Sequence, residues 1–152
     1  MKSLFISVIL LTLTLSVTGQ VPNKDYDPEL AGKLGGNDNG MKNYFFVMLR
    51  TGPNNVTDKA VRDSLFRGHM ANINKMADMG KLIVAGPFGK NDKEYRGIFI
   101  MDVASIDEAK ELLQGDPTIR EKVFEADIVP WFGSAALPEY LKAHKKIIKT
   151  MN

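Results

Sequence analysis

Two runs, Tyr44–Leu49 (YFFVML) and Gly97–Val103 (GIFIMDV), constrain this chain most, because each is apolar at both odd and even positions. Successive side chains of a strand point to opposite faces, so a sheet covered on one side only should alternate apolar with polar. Any sheet containing these two strands must therefore be shielded on both faces. Helices can shield one; the other needs a terminal helix or a second subunit packed sheet to sheet. An apolar face several strands wide exceeds what soluble monomers expose, so a homodimer is expected.

The remaining signals set the order of elements. The first strand ends at the turn Thr51-Gly52-Pro53-Asn54-Asn55. Thr57 or Asp58 caps a helix to about Met79, with Val61, Leu65, Ile73 and Met76 on one stripe, and Gly80 ends it. Leu82–Ala85 is a second strand closed by Gly86-Pro87, and Tyr95–Val103 is the third. Ser105 with Glu108 three residues on forms a capping box for a helix carrying Ala109, Leu112 and Leu113. Asp116-Pro117 opens a short helical turn, and Phe124–Trp131 is the fourth strand. Leu137 to Met151 reads as an amphipathic helix with Leu137, Tyr140, Leu141, His144, Ile147 and Ile148 on one face. The order predicts an α+β, ferredoxin-like βαββαβ antiparallel sheet with an extra C-terminal helix.

Four segments follow. Residues 1–19 read as an export signal: Lys2, an apolar and Ser/Thr run over Leu4–Val17, then Val17-Thr18-Gly19 before Gln20. That run is fourteen residues, short of the about 20 a bilayer-spanning helix needs, although an uncleaved anchor is the alternative. Residues 20–41, with Gly35-Gly36-Asn37-Asp38-Asn39-Gly40, read as a flexible linker, 42–132 as the folded domain, and 133–152 as the terminal helix. The mature chain is expected to be exported, periplasmic or extracellular, with one core and no association with membranes.

Charge and composition exclude several functions. Without Lys2 the formal charge falls from +2 to +1, which gives no field for nucleic acid. There is no cysteine, so thiol nucleophiles, thiolate metal sites and redox pairs are excluded. No histidine pair at i and i+4 and no carboxylate cluster has ligand spacing, so neither a metal nor another cofactor is expected.

The chemistry narrows to His69 and Asp116. His69 lies four residues after Leu65 and four before Ile73, on the buried stripe of its own helix. It is either a core histidine satisfied by a carbonyl or water, or a neutral imidazole at the edge of a cavity that can exchange a proton. Asp116, forty-seven residues on, reads as an ordinary N-cap before proline, but a carboxylate has lone pairs enough to cap a helix and also orient an imidazole. Around this pair, Gly86, Pro87 and Phe88 end a strand where backbone can approach a ligand, Arg96 can neutralise an anion, and Trp131 can wall a pocket. Each also has a structural explanation as turn, solvated cation and core or interface aromatic. His144, among Lys142, Lys145, Lys146 and Lys149, reads as packing or surface.

The segment from His69 through GKLIVAGPFG, RGIFIMDVASIDEAKELLQGDP and ADIVPW resembles the YCII-related domain family over about residues 42–132. The resemblance implies a dimeric α/β barrel type of ferredoxin-like fold and a histidine–aspartate pair in a pocket, roles that fall on His69 and Asp116. It also implies activities that are mostly undefined, one branch resembling dehydrochlorinases of chlorinated hydroxyhydroquinones. The chain departs from the family in its signal, its arm, its basic terminal helix and Thr118 after Asp-Pro, where a bulky apolar or aromatic residue is common. The expected function is acid/base chemistry by His69 and Asp116 on a small organic molecule: elimination, isomerisation or hydrolysis. The alternative is a non-catalytic ligand-binding or accessory dimeric module.

Overall fold

The two strands that are apolar at both parities, β1 (Met41–Thr51) and β3 (Tyr95–Met101), pair with each other at the centre of a four-stranded sheet. β2 (Leu82–Pro87) lies outside β3 and β4 (Phe124–Ser134) outside β1, giving the order β2-β3-β1-β4 with every neighbour antiparallel. This is the ferredoxin-like α+β arrangement, in a computed structural model that describes residues 21–149. The export signal read over 1–19 lies outside the described residues. Edge strand β4 alternates half-buried and exposed residues along its first half, as a strand with one covered face should.

Helix α2 (Lys59–Asp78) starts where Asp58 accepts the Val61 backbone N–H at 2.9 Å, and stops at Gly80, whose φ of 69° suits a residue without a Cβ. Helix α3 (Ile106–Gln114) has the expected box: Ser105 Oγ accepts from the Glu108 N–H at 3.1 Å, and the Glu108 carboxylate accepts from the Ala104 N–H at 2.8 Å. Both helices cover the same sheet face. The core beneath them combines Val47, Leu49, Phe99 and Met101 of the sheet with Met76 of α2 and Ala109 and Leu113 of α3.

Alternate residues of the same strands form a second cluster on the other face: Tyr44, Ile83 and Ile100, with Phe46 and Val84 beside them. Leu137 of a 3-10 turn (Leu137–Glu139) and Leu141 of α5 (Tyr140–Ile147) pack there, so the terminal segment covers part of its own sheet. A one-residue irregularity in β2 leaves Ile83 without a cross-strand partner, and the Tyr140 hydroxyl donates to its carbonyl at 2.5 Å. The helix expected to reach Met151 stops at Ile147 because Ile148 is extended, and Ile147 is 78% exposed, so only its first turn packs.

Two further expectations need correction. The stretch read as a flexible linker carries helix α1 (Pro28–Leu34), begun by the Asp27 side chain on the Leu30 N–H, with Pro28 in the first turn, and closed by Gly35 at φ 71°. It buries no residue, so its end signals define it and apolar periodicity could not reveal it. Val61, placed on the buried stripe of α2, is 51% exposed. The buried residues of α2, Asn72 and Met76, lie in its second half, so its first turns stand clear of the core.

Candidate functional site

On α2, Phe66, His69, Met70 and Ile73 fall at i, i+3, i+4 and i+7 and face one cavity of about 540 Å³. Its floor is the end of β2 and β3, where Ala85, Pro87 and Gly97 point toward α2 and carry too little side chain to reach it. Pro87 pairs with Gly97 and Ala85 with Phe99, so small residues on adjacent strands leave one continuous space. Leu49, Phe99 and Phe124 complete an apolar lining in which His69 and Arg96 are the ionisable side chains. A volume of this size, mostly apolar with a few converging polar groups, suits a small organic molecule.

The structure brings His69 and Asp116 together. His69 Nδ1 lies 2.5 Å from Asp116 Oδ2, with the Asp116 side chain fully buried and the His69 side chain 12% exposed. The contact depends on how closely α2 approaches α4 (Pro117–Arg120). A Cβ on Gly68 would sit 2.4 Å from Pro117 Cγ, so only glycine lets the neighbouring residue come within hydrogen-bonding range of Asp116. One turn further along, Asn72 Nδ2 donates to the Leu112 carbonyl at 3.2 Å and ties α2 to the end of α3, just ahead of α4.

Asp116 serves as both cap and partner, through different oxygens. Oδ1 accepts the Thr118 backbone N–H at 2.8 Å and its hydroxyl at 2.7 Å, while Oδ2 faces the imidazole. Burial is the largest influence on its acidity and pushes the carboxyl up. The hydrogen bonds from His69 and Thr118, with the charge of His69, together outweigh it and hold Asp116 below the ordinary carboxylate value. In the neutral ring, an ionised Asp116 that accepts from Nδ1–H leaves Nε2 as the nitrogen with a free lone pair, and Nε2 has no hydrogen-bond partner among the described residues. The imidazole is braced by aromatic rings: Phe99 stacks at 6.2 Å between centroids, and Phe66 and Phe124 meet it edge-on at 6.2 and 5.6 Å. Such an arrangement can remove a proton from a molecule held against Nε2 and return it.

The other residues singled out in the sequence divide. Gly86, Pro87 and Arg96 line the cavity. Arg96 stands at the rim, its Nε donating to Thr51 Oγ1 at 2.5 Å, with no ion-pair partner among the described residues. Phe88 and Trp131 are not in the lining. Phe88 turns out beyond the end of β2 against Tyr95, and Trp131 lies on the opposite sheet face, 5.9 Å from Tyr44. Strand parity explains Trp131, since it pairs with Tyr44 of the second face while its neighbours Ile128 and Ala126 serve the helix face. Phe66, Met70, Phe99 and Phe124 were missed, although the spacing of Phe66 and Met70 around His69 was a readable signal. No group of three or more histidine or acidic side chains that could hold a metal occurs among the described residues.

A model of the YCII-related domain matches residues 44–132, more than half of the chain, and the chain belongs to that family. No curated protein matches it. Among solved structures the chain is similar to 5-chloro-2-hydroxyhydroquinone dehydrochlorinase from Burkholderia phenoliruptrix AC1100 in complex with 2,5-dihydroxybenzoquinone: 24% identity over 57% of this chain and 92% of that one, TM-score 0.41. No described helix is long and apolar enough to cross a membrane.

Proposed function

We propose that this protein is an exported, cofactor-independent enzyme that moves a proton on a small organic molecule, with His69 as the base and Asp116 as its orienting partner. The observation that carries the reading is the pairing of Nδ1 with a buried carboxylate in a histidine that lines an apolar cavity. A solid-core histidine needs no cavity of that size beside it. Arg96 supplies a cation at the rim without a carboxylate partner among the described residues, which suits a substrate carrying or developing negative charge. Elimination, isomerisation and hydrolysis all use such a pair. Export rests on the sequence of residues 1–19.

The working unit is a homodimer built on the second sheet face. The terminal segment covers Tyr44, Ile83 and Ile100 but leaves Val129 50% and Trp131 36% exposed. A second copy packed there would give the sheet-to-sheet arrangement of a dimeric α/β barrel.

The test is a screen of small weakly acidic organic molecules against the mature protein, following both the His69 ring resonances and turnover. His69→Gln and Asp116→Asn should abolish turnover while leaving the fold intact and binding largely preserved. Binding without turnover in the parent protein would make it a ligand-binding module, and the absence of both, with His69→Gln only losing stability, would leave a structural histidine.

A further inference from the structure

Asp116 offers two oxygens, and three donors converge on them. Thr118 supplies two of the three, from its backbone N–H and its hydroxyl, both to Oδ1, and its side chain is fully buried. The same hydroxyl oxygen lies 3.4 Å from His69 Nδ1. A threonine hydroxyl has one proton to give, and here the 2.7 Å contact with the carboxylate takes it. Toward the imidazole, Thr118 Oγ1 can then present only lone pairs.

We propose that Thr118 is a positioning residue for His69: its hydroxyl pins the Asp116 carboxylate and, with it, holds the imidazole in the tautomer that carries its proton on Nδ1. The inference rests on the reading of His69 as a base and specifies how that base is kept ready. Were the proton on Nε2 instead, the bare Nδ1 would face the carboxylate oxygen at 2.5 Å and the threonine oxygen at 3.4 Å, three lone-pair atoms with one hydroxyl proton among them. With the proton on Nδ1, every close contact has a donor and an acceptor, and Nε2 is left bare. Two donors on Oδ1 also stop the carboxylate rotating, so Oδ2 stays directed at the ring. Residues of α4 thus hold the base of α2 without touching a substrate.

The test reads the tautomer directly and needs no substrate. Imidazole nitrogen-15 spectra of the neutral ring, with His144 assigned separately, give the ratio of the two tautomers of His69 in the full chain. Thr118→Val keeps the shape, removes the hydroxyl and frees the carboxylate to turn off the ring; the Nδ1–H form then loses its hydrogen bond to a charged group, and the ratio of the Nδ1–H to the Nε2–H form should fall about tenfold. Carbethoxylation at His69, resolved by peptide mass, should slow as the fraction of rings with a bare Nε2 falls. Thr118→Ser keeps the hydroxyl and should restore both values. Thr118→Ala gives a second hydroxyl-free variant if valine does not fit. An unchanged ratio in a folded hydroxyl-free variant, or a serine variant that behaves like alanine, overturns the role of Thr118. A parent protein lacking the Nδ1–H form overturns the base assignment itself, which keeps the two failures apart.

Discussion

The two faces of the sheet are built from alternate residues of the same strands but are finished differently. On the helix face, α2 and α3 bring Met76, Ala109 and Leu113 down onto Val47, Phe99 and Met101, and the layer is solid until α2 overhangs the small residues of β2 and β3. On the second face the cover is a short turn and the first turn of a helix, and Val129 and Trp131 stay open. The first face combines a rigid anchor with a hole, which lets an imidazole and a carboxylate be held at fixed distance beside free space. The second has apolar surface without depth, which suits a flat partner better than a small ligand.

The largest contrast should come from truncating the two faces alike. Leu113→Ala removes a side chain that is 2% exposed and should cost about 2–5 kcal/mol in urea unfolding. A loss well below that would mean the helix face is loosely packed and the contrast between faces is false.

Asp116→Asn comes next, at about 1.5–3 kcal/mol, because a buried carboxylate with three donors loses its charge. Its folded value is depressed, so the contribution is complete above the unfolded carboxyl value of about 4 and is lost as pH falls through the lower folded value. The stability gap between parent and variant should therefore be full near neutrality and close in acid. A gap that is flat down through acid would separate Asp116 from any charge-dependent role.

Gly68→Ala decides between two opposing effects. Helix propensity alone favours alanine by about 1 kcal/mol, whereas overpacking costs about 1–3 kcal/mol. With Pro117 Cγ 2.4 Å from the new methyl, the clash should win by about 1 kcal/mol and push His69 off Asp116. A stabilised variant would show that α2 and α4 are not in tight contact.

Smaller effects belong to the second face. Tyr140→Phe removes the hydrogen bond to the Ile83 carbonyl and should cost about 0.5–1.5 kcal/mol, read from the thermal midpoint. Val129→Ala should change stability by less than about 0.5 kcal/mol if that position faces water. A larger loss that grows with protein concentration, together with a sedimentation shift in Val129→Lys, would show the face covered by a second copy, as proposed above.

Much of this is legible in the sequence. The strands with apolar residues of both parities are the central pair, because only a central strand of a doubly covered sheet must be apolar on both sides. The caps at Asp58, Ser105 and Asp116 set three helix starts through contacts within four residues of chain. The failures share a cause as well. Helix α1 buries nothing and so leaves no period to read, while the apolar character of Val61 and Trp131 does not say which part of α2 meets the core or which sheet face a given parity serves.

The sequence by itself determined the element order, the antiparallel α+β class and the two residues worth pairing, since these depend on local signals and on periodicity. Only the tertiary structure decided that Gly68 lets the helices close until His69 meets Asp116, that Ala85, Pro87 and Gly97 leave a cavity rather than a core, and that Thr118 completes the carboxylate's partners. Those outcomes depend on distances between segments up to 49 residues apart, and the packing of helix on sheet sets them.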